Sequence, residues 1–559
     1  MKNQFIYDDI YETMITGTMQ YINIKELKRF KLDKTAIHEP DIIKASAIAS
    51  HAPMTLVYTP SGAGKSDIVR ARVNALLDNN VPAEKIAVLN MNIAKCKQMS
   101  AEFPAVNIMT FSDFTHGIFM ANYPQCEQSD ITSIVNTLRL QPSSAKLNDM
   151  IGKLSIANQQ DKMTALALFT NANIQFVTDT VVSIGKTDYA LESMIVQNML
   201  YYLPVNPYDF DEIIINGVQN MPISILCSIL EYANISKCNL FMTGCPDETI
   251  YGFNMACQNT MNILSSYDGV DIIRINNADK ISSDIKNFLD MNRSASIDNI
   301  QYVGITADYD TSLHDLIHNA MGLHTSYLVN KLNEKKPVLI LARSKSDIAE
   351  IKSLLIKEYK PVYPGLNILD LSMIQYVQTC YGEIASKYYE KFVSKYPSGL
   401  TVGQFFFDLY NLMAYEQNSG GVPNTKTQLA VDKDNLFMFF NINRSKFPDN
   451  STVLPVRDMI QSVIDIESNA VKEHAEYVKN NANIVTDGAD IILSTIHTAI
   501  DIRNDDVIIL MRNHNEKTID DNVYRVAISR ANKSEYIIFI NYGHFETIYQ
   551  KYLKTHTKH

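Results

Sequence analysis

Short apolar runs recur along the chain, each closing on a small or polar residue and giving way to apolar positions at three- and four-residue spacing. In "IIINGVQN" (213–220) three isoleucines stop at Asn216-Gly217, and "MPISILCSILEYA" (221–233) then continues with helical periodicity. Asn-Gly is a strong hairpin signal, but a hairpin needs a second strand at once and here a helix follows. The pattern predicts strand, turn, helix, the unit of an α/β sheet whose strands meet ligands at their carboxyl ends. "TLVY" (55–58) repeats it, with a Gly-containing loop and a helix from Ser66 that carries Ile68, Val69 and Val73. "NTLRLQPSSAKLNDMIGKLSIANQQDKMTALALF" (136–169) is instead polar and helix-rich, while "SKYPSGL" (394–400) and "EQNSGGVPNTKTQ" (416–428) read as loops.

Composition sets limits around this pattern. A chain of 559 residues with 46% hydrophobic content holds several domains with real cores. The formal net charge of -11 argues against a uniformly basic coat for nucleic acid and leaves room for a local basic groove. Seven cysteines (Cys96, Cys126, Cys227, Cys238, Cys245, Cys257 and Cys380) show neither a CxxC pair nor metal-ligand spacing. No apolar run approaches the roughly 20 residues that cross a bilayer. The expectation is an intracellular protein with reduced thiols and no membrane partner, in the host cytoplasm if its source is viral.

The strongest chemical signal is "TPSGAGKS" (59–66) between the predicted strand and helix. Backbone amides of Ser61-Gly62-Ala63-Gly64 suit a phosphate cradle at a helix N-terminus. Lys65 would reach β- and γ-phosphates, and the Ser66 hydroxyl would ligate magnesium. Only Thr59 departs from the usual pattern, which has Gly or Ala there.

"GCPDETIYGFNMA" (244–256) resembles the third motif of superfamily 1 helicases of the UvrD/Rep/PcrA type, close to GDPDQSIYGFRGA. Further segments are similar to that family in the same order. "KIAVLNMNIAKCKQM" (85–99) resembles its second strand and loop, and "VNIMTFSDFTHGIF" (106–119) its TFHSF segment through Thr110, Phe111 and Phe114. "PVLILARSKSDIAEIKSLL" (337–355) supplies the family arginine at Arg343. "ILSTIHTAIDIRNDDVIIL" (492–510) matches at Thr495, His497, Ala499 and Val507, and "VYRVAISRANKSEYIIF" (523–539) places Arg530 at the arginine finger. The resemblance implies an α/β fold of two RecA-like P-loop NTPase domains around one ATP, each interrupted by a mainly helical insertion. Residues 1–44 form a separate lead-in, 45–117 with 200–266 the first RecA-like domain (1A) and 118–199 its insertion (1B). Residues 267–355 with 485–559 form the second (2A) and 356–484 its insertion (2B).

Against that family the chain has lost several groups. "YDFDEIIINGVQN" is similar to FDYILVDEFQD, so Asn216 falls on the magnesium-binding aspartate and Gly217 on the catalytic glutamate, while Gln219 remains at the family glutamine. Asp211-Glu212 lies some 16 Å away along the strand, at about 3.3 Å per residue. Cys245 stands for Asp, Glu248 for the γ-phosphate-sensing Gln and Asn254 for Arg. Ala278-Asp279-Lys280 replaces Asn-Tyr-Arg, leaving Lys280 as a lone cation, and Arg503 replaces the ribose-facing carboxylate. Positioned acid or base groups contribute roughly 10²- to 10⁴-fold and an arginine finger roughly 10³- to 10⁵-fold. The resemblance therefore implies ATP binding through the Ser61–Ser66 loop, Glu248, Lys280 and Arg530, with hydrolysis impaired or absent. Glu248 would repel a γ-phosphate unless it or Asp247 holds a metal, and Mg²⁺ keeps Ser66 as its protein ligand. Single-stranded DNA is the implied partner, met by Thr110, Phe111, Tyr251, Phe253 and His497, with protein partners at 1B and 2B. Two alternatives stand beside this reading: an active ATP-dependent 3′-to-5′ helicase or translocase in replication, repair or recombination, and a protein-interaction scaffold.

Overall fold

The computed structural model describes residues 2–32, 37, 39, 41–276, 300–305, 325–371, 381–418, 433–449, 451–481, 489–512 and 521–540. The chain divides into two compact units, residues 1–111 with 209–374 and 483–559, and residues 112–208 with 375–482.

The first unit is α/β and holds two six-stranded sheets, parallel throughout. Across one sheet the strands run Asn107–Thr110, Ile86–Asn90, Glu212–Asn216, Asn239–Gly244, Met54–Tyr58 and Val270–Arg274. The strands Ile86–Asn90, Met54–Tyr58 and Asn239–Gly244 are buried along their whole length, as strands covered by helices on both faces must be, which is why they read as unbroken apolar runs. The other sheet runs Ile368–Asp370, Ile491–Thr495, Val338–Ala342, Asn504–Arg512, Ala531–Ile540 and Ile300–Ile305.

Two strands lie elsewhere than the sequence boundaries put them. Val270–Arg274 pairs with Met54–Tyr58 in the first sheet, where Asp271 accepts a hydrogen bond from Ser50 Oγ at 2.8 Å. Ile368–Asp370 pairs with Ile491–Thr495 in the second. Both are edge strands, only partly buried, so each carries charged residues and lacks the apolar signal of a central strand.

The amino-terminal segment is not a separate element. The helix Lys2–Met19 buries Tyr11, Ile15 and Met19, a four-residue stripe, and packs on the helices Ile223–Ser236 and Thr260–Ser265. Beyond it, the Asn23 amide donates to Asn234 Oδ1 (3.0 Å) and Asn239 Nδ2 donates to Lys28 O (2.8 Å). Beneath the first sheet, Arg72 on the helix Lys65–Asp78 meets Glu212 through Nε (2.8 Å) and Nη2 (3.2 Å) and donates through Nη1 to Ile48 O and Ser50 O, both at 2.8 Å. This fully satisfied buried pair occupies Glu212, the acid nearest in sequence to Asn216, at the amino end of its strand.

The second unit is mainly helical. The residues 112–208 and 375–482 share a core in which Leu140 packs with Phe392, Phe405, Phe439 and Phe447. Polar ties join the two stretches: Ser386 Oγ to Asn136 Oδ1 (3.0 Å), Ser129 Oγ to Ser468 Oγ (3.0 Å) and Lys186 to Asp465 (2.5 Å). The Glu467 carboxylate caps the helix Tyr381–Lys387 by accepting from the amides of Tyr381 and Gly382. No described helix is long and apolar enough to cross a membrane.

Candidate functional site

Parallel pairing places the carboxyl ends of the first sheet's strands side by side, with Asn90 opposite Asn216, Asn216 opposite Thr243 and Tyr58 opposite Gly244. The segments leaving these ends line a cavity of about 300 Å³ in the first unit. The second sheet contributes from its amino ends: Arg503 immediately precedes the strand Asn504–Arg512, and Arg530 precedes Ala531–Ile540.

The loop after Met54–Tyr58 is shaped by two glycines in the left-handed region, Gly62 (φ 84°) and Gly64 (φ 81°), which lets the chain turn abruptly into the helix Lys65–Asp78. Thr59 fastens its start, donating from its hydroxyl to Gly244 O at 3.0 Å. Ala63 packs into the core with Val57 and Ile68, so it contributes backbone only. Gly64 provides no side-chain cap, and among the described residues the amides of Gly62, Gly64, Lys65 and Ser66 have no backbone acceptor. The helix thus begins with open N–H donors and its positive dipole end facing the cavity.

Glu248 sits at the centre of the site, 2% exposed. Its Oε2 accepts from Lys65 Nζ at 2.5 Å; its Oε1 accepts from Arg530 Nη2 at 2.8 Å and Ser61 Oγ at 2.9 Å. Burial pushes the carboxyl pKa up, but the charges of Lys65 and Arg530, the Lys65 hydrogen bond and the more distant Arg503 outweigh it and hold the group at about 2. Arg530 is itself aimed by Nε–H bonding to Val526 O (3.0 Å) and by Ser529 Oγ. The carboxylate expected to confront an incoming anion is instead the shared partner of cations from both sheets.

The turn at the carboxyl end of the strand Glu212–Asn216 is neutral. Asn216 Nδ2 donates to Asn90 Oδ1 at 2.8 Å and to Ser66 Oγ at 3.3 Å, and Gly217 turns away in the left-handed region at φ 92°. Gln219 is buried, its Oε1 accepting from the Cys245 amide at 3.2 Å. Burial pushes the Cys245 thiol up to about 12, which keeps it protonated and unreactive.

Magnesium fits this donor set poorly. The ion asks for one or two carboxylates beside phosphates and water. Here the Ser66 hydroxyl receives an amide N–H, and of the two carboxylates lining the cavity Glu248 is taken by Lys65 and Arg530 while Asp67 bonds Arg70 at 3.2 Å. Among the described residues no group of His, Cys, Asp and Glu is arranged to hold a metal.

The remaining expected residues separate into three places. Tyr251, Phe253 and His497 form one aromatic cluster with ring centroids 5.5 to 5.7 Å apart, and Tyr251 donates its hydroxyl to His497 O at 2.8 Å. Burial lowers the His497 pKa, so at neutral pH it is an uncharged ring. Phe253 is 42% exposed and offers a face to solvent, whereas Phe111 is 3% exposed in the core and offers none. Thr110 ends the edge strand beside Asn90. Lys280 lies outside the described residues. The cavity also draws in Arg70, Lys95, Gln98 and Asn220, which the sequence did not single out. Lys95 and Gln98, joined by a 3.3 Å hydrogen bond, follow the strand Ile86–Asn90 at i, i+3 spacing on one helix, a signal no stronger than that of any polar helix face.

Five cations (Lys65, Arg70, Lys95, Arg503 and Arg530) line the cavity against the two carboxylates Asp67 and Glu248, so the arrangement is suited to a compact polyanion. Compared with models of known protein families and with curated proteins, the chain matches none of either.

Proposed function

We propose that the chain is a nucleotide-binding protein built like a superfamily 1 helicase of the UvrD/Rep/PcrA type, with two RecA-like sheets, that holds ATP or a related nucleotide without turning it over efficiently. The convergence of Lys65 and Arg530, from different sheets, on a single point beside four open loop amides carries this reading. A lysine at the first residue of a helix after a glycine loop serves phosphate binding, and an arginine from the opposite side serves a terminal phosphoryl group.

The case against turnover is chemical. Hydrolysis needs a base to orient water and a carboxylate to hold magnesium, and Asn216 and Gly217 provide neither. Glu248, the one acid at the centre, is engaged by Lys65 and Arg530 and held ionised by them, which leaves it a poor proton acceptor. Loss of the base alone costs roughly 10²- to 10⁴-fold. Single-stranded DNA is the proposed partner, met by Phe253 with Tyr251 and His497, because an exposed ring beside aromatic neighbours is a stacking platform.

The deciding experiment measures nucleotide binding by calorimetry and phosphate release by a coupled assay on the same preparation, with and without single-stranded DNA. Binding is expected, weakened at least about tenfold in Lys65→Ala by loss of a charge-assisted contact, with turnover near the uncatalysed level. Robust DNA-stimulated turnover that Lys65→Ala abolishes would refute the proposal in favour of an active motor.

A further inference from the structure

We propose that the cavity takes a diphosphate group, as in a nucleoside diphosphate, with the Glu248 carboxylate standing where a third phosphoryl group would go. The inference rests on the nucleotide-binding reading above and narrows its ligand.

Both oxygens of Glu248 are committed. Oε2 holds Lys65 at 2.5 Å, and Oε1 holds Arg530 at 2.8 Å and Ser61 at 2.9 Å. These are the donors a terminal phosphoryl group requires, since the loop lysine reaches the β/γ region and an opposing arginine serves the outermost phosphate. Glu248 is also fixed through its backbone. Its amide donates to Cys245 O at 3.0 Å and its carbonyl accepts from Asn220 Nδ2 at 3.0 Å, within the short helical turn Pro246–Glu248. The side chain is an anchored internal anion already occupying the cation pair.

A triphosphate would have to displace a buried carboxylate from two cations or lie against it at the cost of like-charge repulsion. A diphosphate meets neither obstacle. The open amides of Gly62, Gly64, Lys65 and Ser66 receive its distal phosphate, and the cavity wall beyond carries Lys95, with Arg70 there already paired to Asp67 and Glu102. The Ser66–Asn216–Asn90 chain favours the same ligand, because the groups beside Ser66 Oγ are neutral amides and offer no carboxylate to a metal bridging a second and third phosphate.

Calorimetric titration of ADP, ATP and inorganic pyrophosphate into the full-length protein and into Glu248→Gln tests this, with Lys65→Ala as the control for the cradle. The wild-type protein is expected to bind ADP at least about tenfold more tightly than ATP, the scale of one charge-assisted hydrogen bond. In Glu248→Gln the ratio is expected to move toward ATP by about tenfold or more, while Lys65→Ala weakens both nucleotides. Binding of pyrophosphate that Lys65→Ala weakens as it weakens ADP would support the inference and assign the recognition to the phosphates rather than the base. Equal wild-type affinities for ADP and ATP, or a Glu248→Gln variant in which the ratio is unchanged, would overturn the inference while leaving nucleotide binding intact. No binding of either nucleotide would overturn the reading beneath it. The wild-type ratio decides by itself if the variant does not fold.

Discussion

At the residue scale, Glu248 sets an anion at the one point where Lys65 and Arg530 meet. From sequence, a carboxylate there implied repulsion of phosphate. The structure adds what a sequence cannot carry, that the cations it would share with a ligand are already bonded to it. Its acid strength follows, and so does a linkage with definite sign. The folded carboxyl lies at about 2 against an ordinary value of 4.5, so its contribution to stability is fully present above about pH 4.5 and is lost as pH falls toward 2. That difference corresponds to on the order of 3 kcal/mol. Glu248→Gln is therefore expected to lower stability at pH 7 and to show a flatter loss of near-ultraviolet circular dichroism between pH 4.5 and 2. Parallel acid profiles for the two proteins would show that the carboxylate is not held by its cations.

At the scale of elements, the turn after the strand Glu212–Asn216 is fixed by backbone conformation as much as by side chains. Gly217 lies at φ 92° and ψ 50°, where a Cβ would touch nothing closer than the Gln219 amide at 3.9 Å, so the penalty for a larger residue is conformational. Gly217→Glu, alone or with Asn216→Asp, is expected to destabilise the fold by about 1–2 kcal/mol and not to confer nucleotide hydrolysis. Turnover by the double variant would show that acids at these two positions are enough for hydrolysis. Strand, loop and helix at 54–78 and at 212–236 were legible because central parallel strands and tight turns into a helix leave continuous apolar runs and glycines at set positions. The edge strands Val270–Arg274 and Ile368–Asp370 were not, since a half-exposed strand bearing Asp271 or Asp370 lacks that signature. The helix Lys2–Met19 was not placed in the first unit's core because the helices it packs on, Ile223–Ser236 and Thr260–Ser265, are remote in sequence and a stripe such as Tyr11, Ile15 and Met19 does not name its partner.

On the scale of the whole molecule, two remote stretches, 112–208 and 375–482, form one helical unit, although the sequence presents them as separate insertions. Nothing local announces this: contacts such as Ser386 with Asn136 join residues 250 positions apart, and neither partner is unusual in its own segment. The same distance between local and global properties governs charge. The chain carries a formal net charge of -11, yet the cavity wall is basic. An anionic ligand is therefore repelled at long range and attracted at short range, and salt acts on the two ranges differently. At about 0.01 M salt, with a screening length near 30 Å, the overall charge slows approach; at about 0.15 M, near 8 Å, that repulsion fades while the attraction at contact persists. Stopped-flow association of a fluorescent diphosphate is expected to quicken with added salt before it slows, and a steady decline from the lowest salt would show that only the cavity's field is felt. For the proposed diphosphate, the basic lining of an acidic protein thus makes ionic strength a control on how fast the site fills.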